Sequence, residues 1–142
     1  MIKQLEMKLM SNTAKLPKRA NPTDSGLDLY TSEEVVIPAH STLAVPTGVA
    51  INLKEGYEAQ VRPRSGKSLK SKLRVALGTI DFSYHKEIGI ITDNISDEDI
   101  IIPQGERLAQ LVVAPVVYPT PIEVSQFEQE SNRGAYGSTG SN

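Results

Sequence analysis

The sequence predicts an all-β fold. Short apolar runs recur along the chain, turn-forming pairs separate them, and the single helical candidate, residues 65–72, is brief and polar. Many short strands joined by turns suit a barrel or a jelly-roll sandwich. The first strand is read at Leu5, Met7 and Leu9, which alternate with Glu6 and Lys8 as a half-buried strand requires. Further runs follow at Val35–Ile37, Leu43–Val45, Val49–Leu53, Tyr57–Val61, Ile88–Ile91, Ile100–Ile102 and Leu108–Val113. Between them stand Asn21-Pro22, Ile37-Pro38, Glu55-Gly56 and Gln104-Gly105, pairs that turn the chain.

At 142 residues the chain is read as one domain, large enough to bury a core unaided. Its hydrophobic share of 39% and charged share of 23% are those of an ordinary globular protein, so a folded core is expected. The absence of cysteine rules out disulfides and thiolate metal sites, and two histidines are too few for a His-rich zinc site. A net charge of −2 and the lack of tryptophan argue against direct nucleic-acid binding. The start, Met1-Ile2-Lys3-Gln4-Leu5-Glu6, has charges where a secretion signal needs an apolar run, and no apolar stretch reaches membrane-spanning length. The expectation is a cytoplasmic protein without a membrane partner. On that reading the sequon Asn94-Ile95-Ser96 carries no meaning as a glycosylation site.

The candidate chemistry begins at Gly78-Thr79-Ile80-Asp81-Phe82-Ser83-Tyr84. A strand needing only burial has no use for a glycine and an acid there, so Asp81 is the first candidate for a catalytic group. Positive charge gathers at Arg62, Arg64, Lys67, Lys70, Lys72 and Arg74, around the turn at Ser65 and Gly66, which outlines a polyanion site. Gly66-Lys67-Ser68 imitates the end of a nucleotide-binding P-loop, but Val61 stands where that loop needs its leading glycine. Asp28, between Leu27 and Leu29, points away from their face and reads equally as a surface or a functional acid. Gln110 is polar in an apolar run, so it either pairs inside the core or faces a ligand or subunit boundary. From about Glu128 the chain becomes a tail of small residues that cannot hold itself by burial. Arg133 and Tyr136, set among glycines and hydroxyls, could make it a lid over phosphates.

Five ordered blocks together resemble the motifs of the trimeric deoxyuridine triphosphatase (dUTPase) family. They are Ser25-Gly26-Leu27-Asp28-Leu29, Arg62-Pro63-Arg64-Ser65-Gly66, Gly78-Thr79-Ile80-Asp81 with Tyr84, Gly105-Glu106-Arg107-Leu108-Ala109-Gln110, and Arg133-Gly134 through Gly137-Ser138-Thr139-Gly140. The resemblance implies a distorted jelly-roll β-barrel or sandwich subunit of a homotrimer. Residues 1–127 would form the barrel, and residues 128–142 a flexible arm closing over the active site of a neighbour. The implied reaction is hydrolysis of dUTP to dUMP and pyrophosphate, with Mg2+ bound to the triphosphate. By the same resemblance Asp81 would deprotonate the attacking water. Tyr84 would lie beneath the deoxyribose and leave no room for a 2′-hydroxyl. Backbone at Gly78, Thr79 and Ile80 would meet uracil. Arg64, Ser65 and Gly66 would cradle the phosphates, with Gln110 contributing from the subunit boundary. Asp28 would hold waters of the magnesium shell. Arg133, Ser138 and Thr139 would close on the outer phosphates, with Tyr136 and Gly137 in the lid.

Three positions depart from the family pattern. Lys86 replaces the glycine usual after Tyr84, Val75 stands where some relatives carry asparagine, and the tail is two residues shorter between Arg133 and the aromatic Tyr136. A dCTP deaminase of the same fold is the enzymatic alternative, but it needs a glutamate in the strand after Tyr84, where the chain reads Ile88-Gly89-Ile90-Ile91-Thr92. The non-enzymatic alternative is a dUTP-sensing protein with a regulatory protein partner. The presence of Asp28, Ser65 and Asp81 favours an active enzyme.

Overall fold

The computed structural model describes residues 2–66 and 71–134. Its strands are β1 Glu6–Leu9, β2 Gly26–Tyr30, β3 Val35–Ile37, β4 Thr42–Pro46, β5 Val49–Asn52, β6 Tyr57–Pro63, β7 Leu73–Val75, β8 Gly78–Ile80, β9 Gly89–Asn94, β10 Ile100–Ile102 and β11 Arg107–Pro115. The apolar runs read from sequence all become strands. The reading passed over β7, because three residues in a basic stretch give almost no alternation to detect. The helix expected over 65–72 begins at Ser65 and Gly66, residues 67–70 lie outside the described residues, and Ser71 and Lys72 are not helical.

All strand pairs are antiparallel, in four sheets ordered β1-β5, β10-β3, β2-β11-β6-β8 and β4-β9-β7. They form a distorted jelly-roll sandwich and do not close into a barrel. The core draws Leu29, Ala59, Val61, Ile80, Leu108 and Leu111 from the four-stranded sheet. Val45, Leu73 and Ile90 come from the three-stranded one, and the smaller sheets add Ile37, Val49, Ile51 and Ile102. Each fully buried Leu or Ile contributes about 1.5–3 kcal/mol, and a one-residue slip of any strand would turn its set outward. The core therefore fixes the register that places the site. In β1 the expected burial holds for Met7, packed against the core with Leu5 before it, but Leu9 is exposed.

Polar groups inside this shell are paired. Thr31 Oγ1 donates to Pro103 O at 2.6 Å and accepts from Glu106 N–H at 3.0 Å, which locks the turn leading into β11. Asn94 is buried; its amide donates to the carbonyls of Ile37 and Glu98 and its oxygen accepts from Ser96. The sequon asparagine is thus a structural residue. Among the described residues no helix is long and apolar enough to cross a membrane.

Candidate active site

Strand β11 lies between β2 and β6, and the register sets Asp28, Gln110 and Arg62 side by side across three strands. Cross-strand neighbours share a face, so these three stand on the side away from the buried Leu29, Leu111 and Val61. A bulge brings Arg107 to them. Arg107 pairs with Tyr30 and Ala109 with Leu29, so β11 carries one extra residue there. In a regular strand Arg107 and Gln110, three apart, would face opposite ways; the extra residue puts both on the face of Asp28.

The Asp28 side chain, 15% exposed, consequently sits between two guanidinium groups, Arg64 Nε at 3.6 Å and Arg107 Nη1 at 3.7 Å. Asp28 is therefore not a surface acid. Arg64 also donates to Arg107 O at 3.0 Å, so it is held both through charge and through the backbone of β11. Gln110 donates to Pro63 O at 3.0 Å, tying β11 to the residue before Arg64. Its Oε1 lies against Gly26, where any Cβ would run into Gln110 Oε1 and Cβ. The glycine of the first block is thus explained by close approach. Ser65 and Gly66 follow Arg64, exposed at the start of a helical turn.

Asp81 follows directly on β8. Ile80 pairs with Ala59, so Asp81 comes next to the Glu58 row of β6. It is exposed, and among the described residues its carboxylate has no hydrogen-bond or ion-pair partner. With Tyr57, Glu58, Thr79, Phe82 and Tyr118 it lines a cleft of about 530 Å³. A larger cleft, about 700 Å³, lies by the N-terminal segment and has no carboxylate in its lining. Tyr84 is 40% exposed; its N–H donates to Asp81 O at 3.0 Å and its hydroxyl to Glu87 O at 2.8 Å. Lys86, in place of the usual glycine, does not have a positive φ, so the turn needs no glycine there. Val75 packs against the core.

The expected residues therefore fall into two groups. Asp28, Arg64 and Gln110 gather at one end of the sheet with Ser65 and Gly66 beside them, and Gly78, Thr79, Ile80, Asp81 and Tyr84 belong to the other edge. Along β6 the row of Arg62 and the row of Glu58 are four residues apart, about 13 Å at the rise of a strand. Arg133 is exposed, its N–H bonded to Ser131 Oγ, while Tyr136, Gly137, Ser138 and Thr139 lie outside the described residues. The basic cluster divides as well. Arg62 bonds Gln60, Arg74 bonds the carbonyls of Ser71 and Leu73, and Lys67 and Lys70 lie outside the described residues. Sequence reasoning gave no role to Arg107, since only the bulge turns it toward Asp28, or to Glu87.

Comparison with known proteins agrees across nearly the whole chain. The family model described as dUTPase matches residues 12–142. A deoxyuridine 5′-triphosphate nucleotidohydrolase of Hydrogenobaculum is 43% identical over 96% of this chain and 98% of its own length. One from Clostridium tetani is 40% identical over 96% of each. A variant dUTPase of Staphylococcus bacteriophage 80alpha, solved with dUpNHpp, superposes with a TM-score of 0.89 at 33% identity, covering 97% of this chain and 99% of that one. A variant dUTPase from phage phi11 of S. aureus, described as revealing the coordination of a structural Mg(II) ion, gives 0.83 at 30% identity over 89% and 99%.

Proposed function

The chain belongs to the dUTPase family and hydrolyses dUTP, and from that premise we propose how its residues divide the reaction. Asp81 takes a proton from the water whose oxygen attacks the α-phosphorus. The bond from that phosphorus to the bridging oxygen of the β-phosphate breaks, and pyrophosphate leaves. Arg64 with Ser65 and Gly66 holds the phosphates and stabilises charge that grows in the transition state, Gln110 sets the edge of that cradle, and Tyr84 lies under the deoxyribose. Backbone at Gly78, Thr79 and Ile80 meets the base. Among the described residues no three of His, Cys, Asp and Glu gather as a metal cage, and Asp28 is already compensated by two arginines. The residues thus fit magnesium arriving with the triphosphate, its water shell reaching Asp28 at most.

One observation carries the assembly: along β6 the row of Asp28, Gln110 and Arg62 lies about 13 Å from the row beside Asp81, with Arg64 beyond it, too far for the two groups of one chain to serve one α-phosphorus. We therefore assign each site to more than one subunit of a homotrimer, with residues 128–142 as an arm closing on a neighbour's site. The segment after β11 supports this, since Val117, Ile122 and Phe127 are 82%, 80% and 69% exposed on the isolated chain. The proposed setting is the cytoplasm.

Mixed oligomers test the assignment. Asp81→Asn and Arg64→Ala are expected to be inactive separately. Co-refolded in equal amounts, they should regain pyrophosphate release at about a quarter of the sites if assembly is random. No recovery, with mixed trimers confirmed by light scattering and mass analysis, would place both halves on one chain and refute the shared site.

A further inference from the structure

We infer that Glu87 is a positioning residue for sugar discrimination, anchoring the turn that holds the Tyr84 ring beneath the deoxyribose. The inference rests on the proposed role of Tyr84. Glu87 is half-buried, whereas its neighbours His85 and Lys86 are exposed. Its carboxylate accepts a hydrogen bond from Gly48 N–H at 3.0 Å, and its carbonyl accepts the Tyr84 hydroxyl at 2.8 Å. One residue therefore links the tip of the ring to the corner between β4 and β5.

The corner is a rigid anchor. Gly48 is buried at φ +69°, and a Cβ there would come within 2.7 Å of Ala14 Cβ and 3.1 Å of Ser11 Oγ. Its carbonyl, in the following peptide group, accepts Met10 N–H at 2.7 Å, so the corner is also tied to the residue that follows β1. Beyond Glu87, Ile88 N–H donates to Val49 O at 2.8 Å and Ile88 O accepts Thr47 Oγ1 at 2.7 Å. The turn enters β9 already fixed at Ile88. The segment from Ser83 to Lys86 is exposed throughout and held from within by Tyr84 N–H on Asp81 O, and the Glu87 carboxylate ties its end to the body of the protein.

A bond from N–H to a carboxylate is stronger than one between neutral groups. Its loss should act on where the ring sits more than on whether the chain folds. A 2′-hydroxyl is refused by contact, and a contact that excludes one oxygen atom weakens steeply when the ring retreats by about an ångström. The expected signature is therefore a gain of UTP cleavage relative to dUTP.

The test compares kcat/KM for dUTP and UTP in the intact protein and in Glu87→Ala, Glu87→Asp, Glu87→Gln and Tyr84→Ala, with thermal melting alongside. Alanine, and aspartate with its shorter reach, should each lower the dUTP-over-UTP ratio by about tenfold, while glutamine, whose amide oxygen still accepts Gly48 N–H, should keep it within about twofold. If alanine fails to fold, aspartate decides the same question. An unchanged ratio in the folded Ala or Asp variant, with Tyr84→Ala losing discrimination, overturns the role of Glu87 and leaves that of Tyr84 standing. Unchanged discrimination in Tyr84→Ala overturns the sugar reading and this inference together.

Discussion

Asp28 and Asp81 are both aspartates of the candidate site, and the chain treats them differently. Asp28 lies between Arg64 and Arg107 with 15% of its side chain exposed, on a row fixed by three strands. Asp81 stands exposed on a turn, with no ion pair or hydrogen bond to its carboxylate among the described residues. The first arrangement stores positive charge. On the proposed reading, two arginines held against one carboxylate receive a triphosphate without first being ordered, because the sheet has already set their positions. The second arrangement leaves an acceptor open. A cation against a general base, the role proposed for Asp81, would weaken it, and Arg64 of the pair lies six residues along the chain from Glu58, just past the far end of β6.

Asp81→Asn should break this division most sharply. Removing the proton acceptor is expected to lower kcat for dUTP by about 10²–10⁴, while affinity measured by calorimetry stays within about threefold of the intact protein. A comparable loss in binding would mean that Asp81 holds substrate instead of activating water. Asp28→Ala addresses the other half. With both arginines released from the carboxylate that positions them, steady-state kinetics should show KM raised by about 10–100-fold and kcat changed less. The stability loss should be only about 0.5–1 kcal/mol, because the two arginine side chains are 30% and 55% exposed and solvent screens the pair.

What the sequence revealed follows the same division. The Asp81 half was legible because its signal is local: a glycine, an acid and an aromatic ring within seven residues. Strands β3, β5, β6 and β11 were legible through alternation or apolar runs that the core later uses. In the Asp28 half the basic turn at Arg64, Ser65 and Gly66 was legible from charge, but Asp28 itself only as resemblance. Its local reading stood open between surface and function, because what defines Asp28 lies far off in sequence, in Arg64 and in Arg107 beyond a bulge. No alternation pattern announces a bulge, and a regular strand would have sent Arg107 to the opposite face from Gln110. Gln110 itself was read as pairing inside the core or facing a ligand or subunit boundary; it bonds Pro63 O from the face away from the core. The gap of about 13 Å between the halves is likewise a property of register, which no single run contains.

Gly26→Ala sharpens the comparison from within the sheet. The added methyl meets Gln110 Oε1 and Cβ, so Gln110 must move and its bond to Pro63 O is put at risk. A loss of about 1–2 kcal/mol by denaturant unfolding is expected, with a rise in KM and little change in kcat. A larger effect on kcat than on KM would show that disturbance travels along β6 to Asp81, and the two halves would then be one mechanical unit.

Lys86→Gly should give the smallest effect, and it asks whether the Asp81 turn needs the glycine that family resemblance places after Tyr84. Lys86 is exposed and lacks a positive φ, so it already sits in a conformation open to any residue. A glycine there gains nothing in the folded state and adds freedom to the unfolded one, costing about 0.5–1 kcal/mol in a melting experiment. Activity on dUTP should be unchanged, because Tyr84 is tied by its N–H to Asp81 O and by its hydroxyl to Glu87 O, and neither bond involves residue 86. A stabilised or faster variant would show that lysine strains the turn. The exposed half of the site would then be tuned by its backbone, where the buried half is tuned by charge.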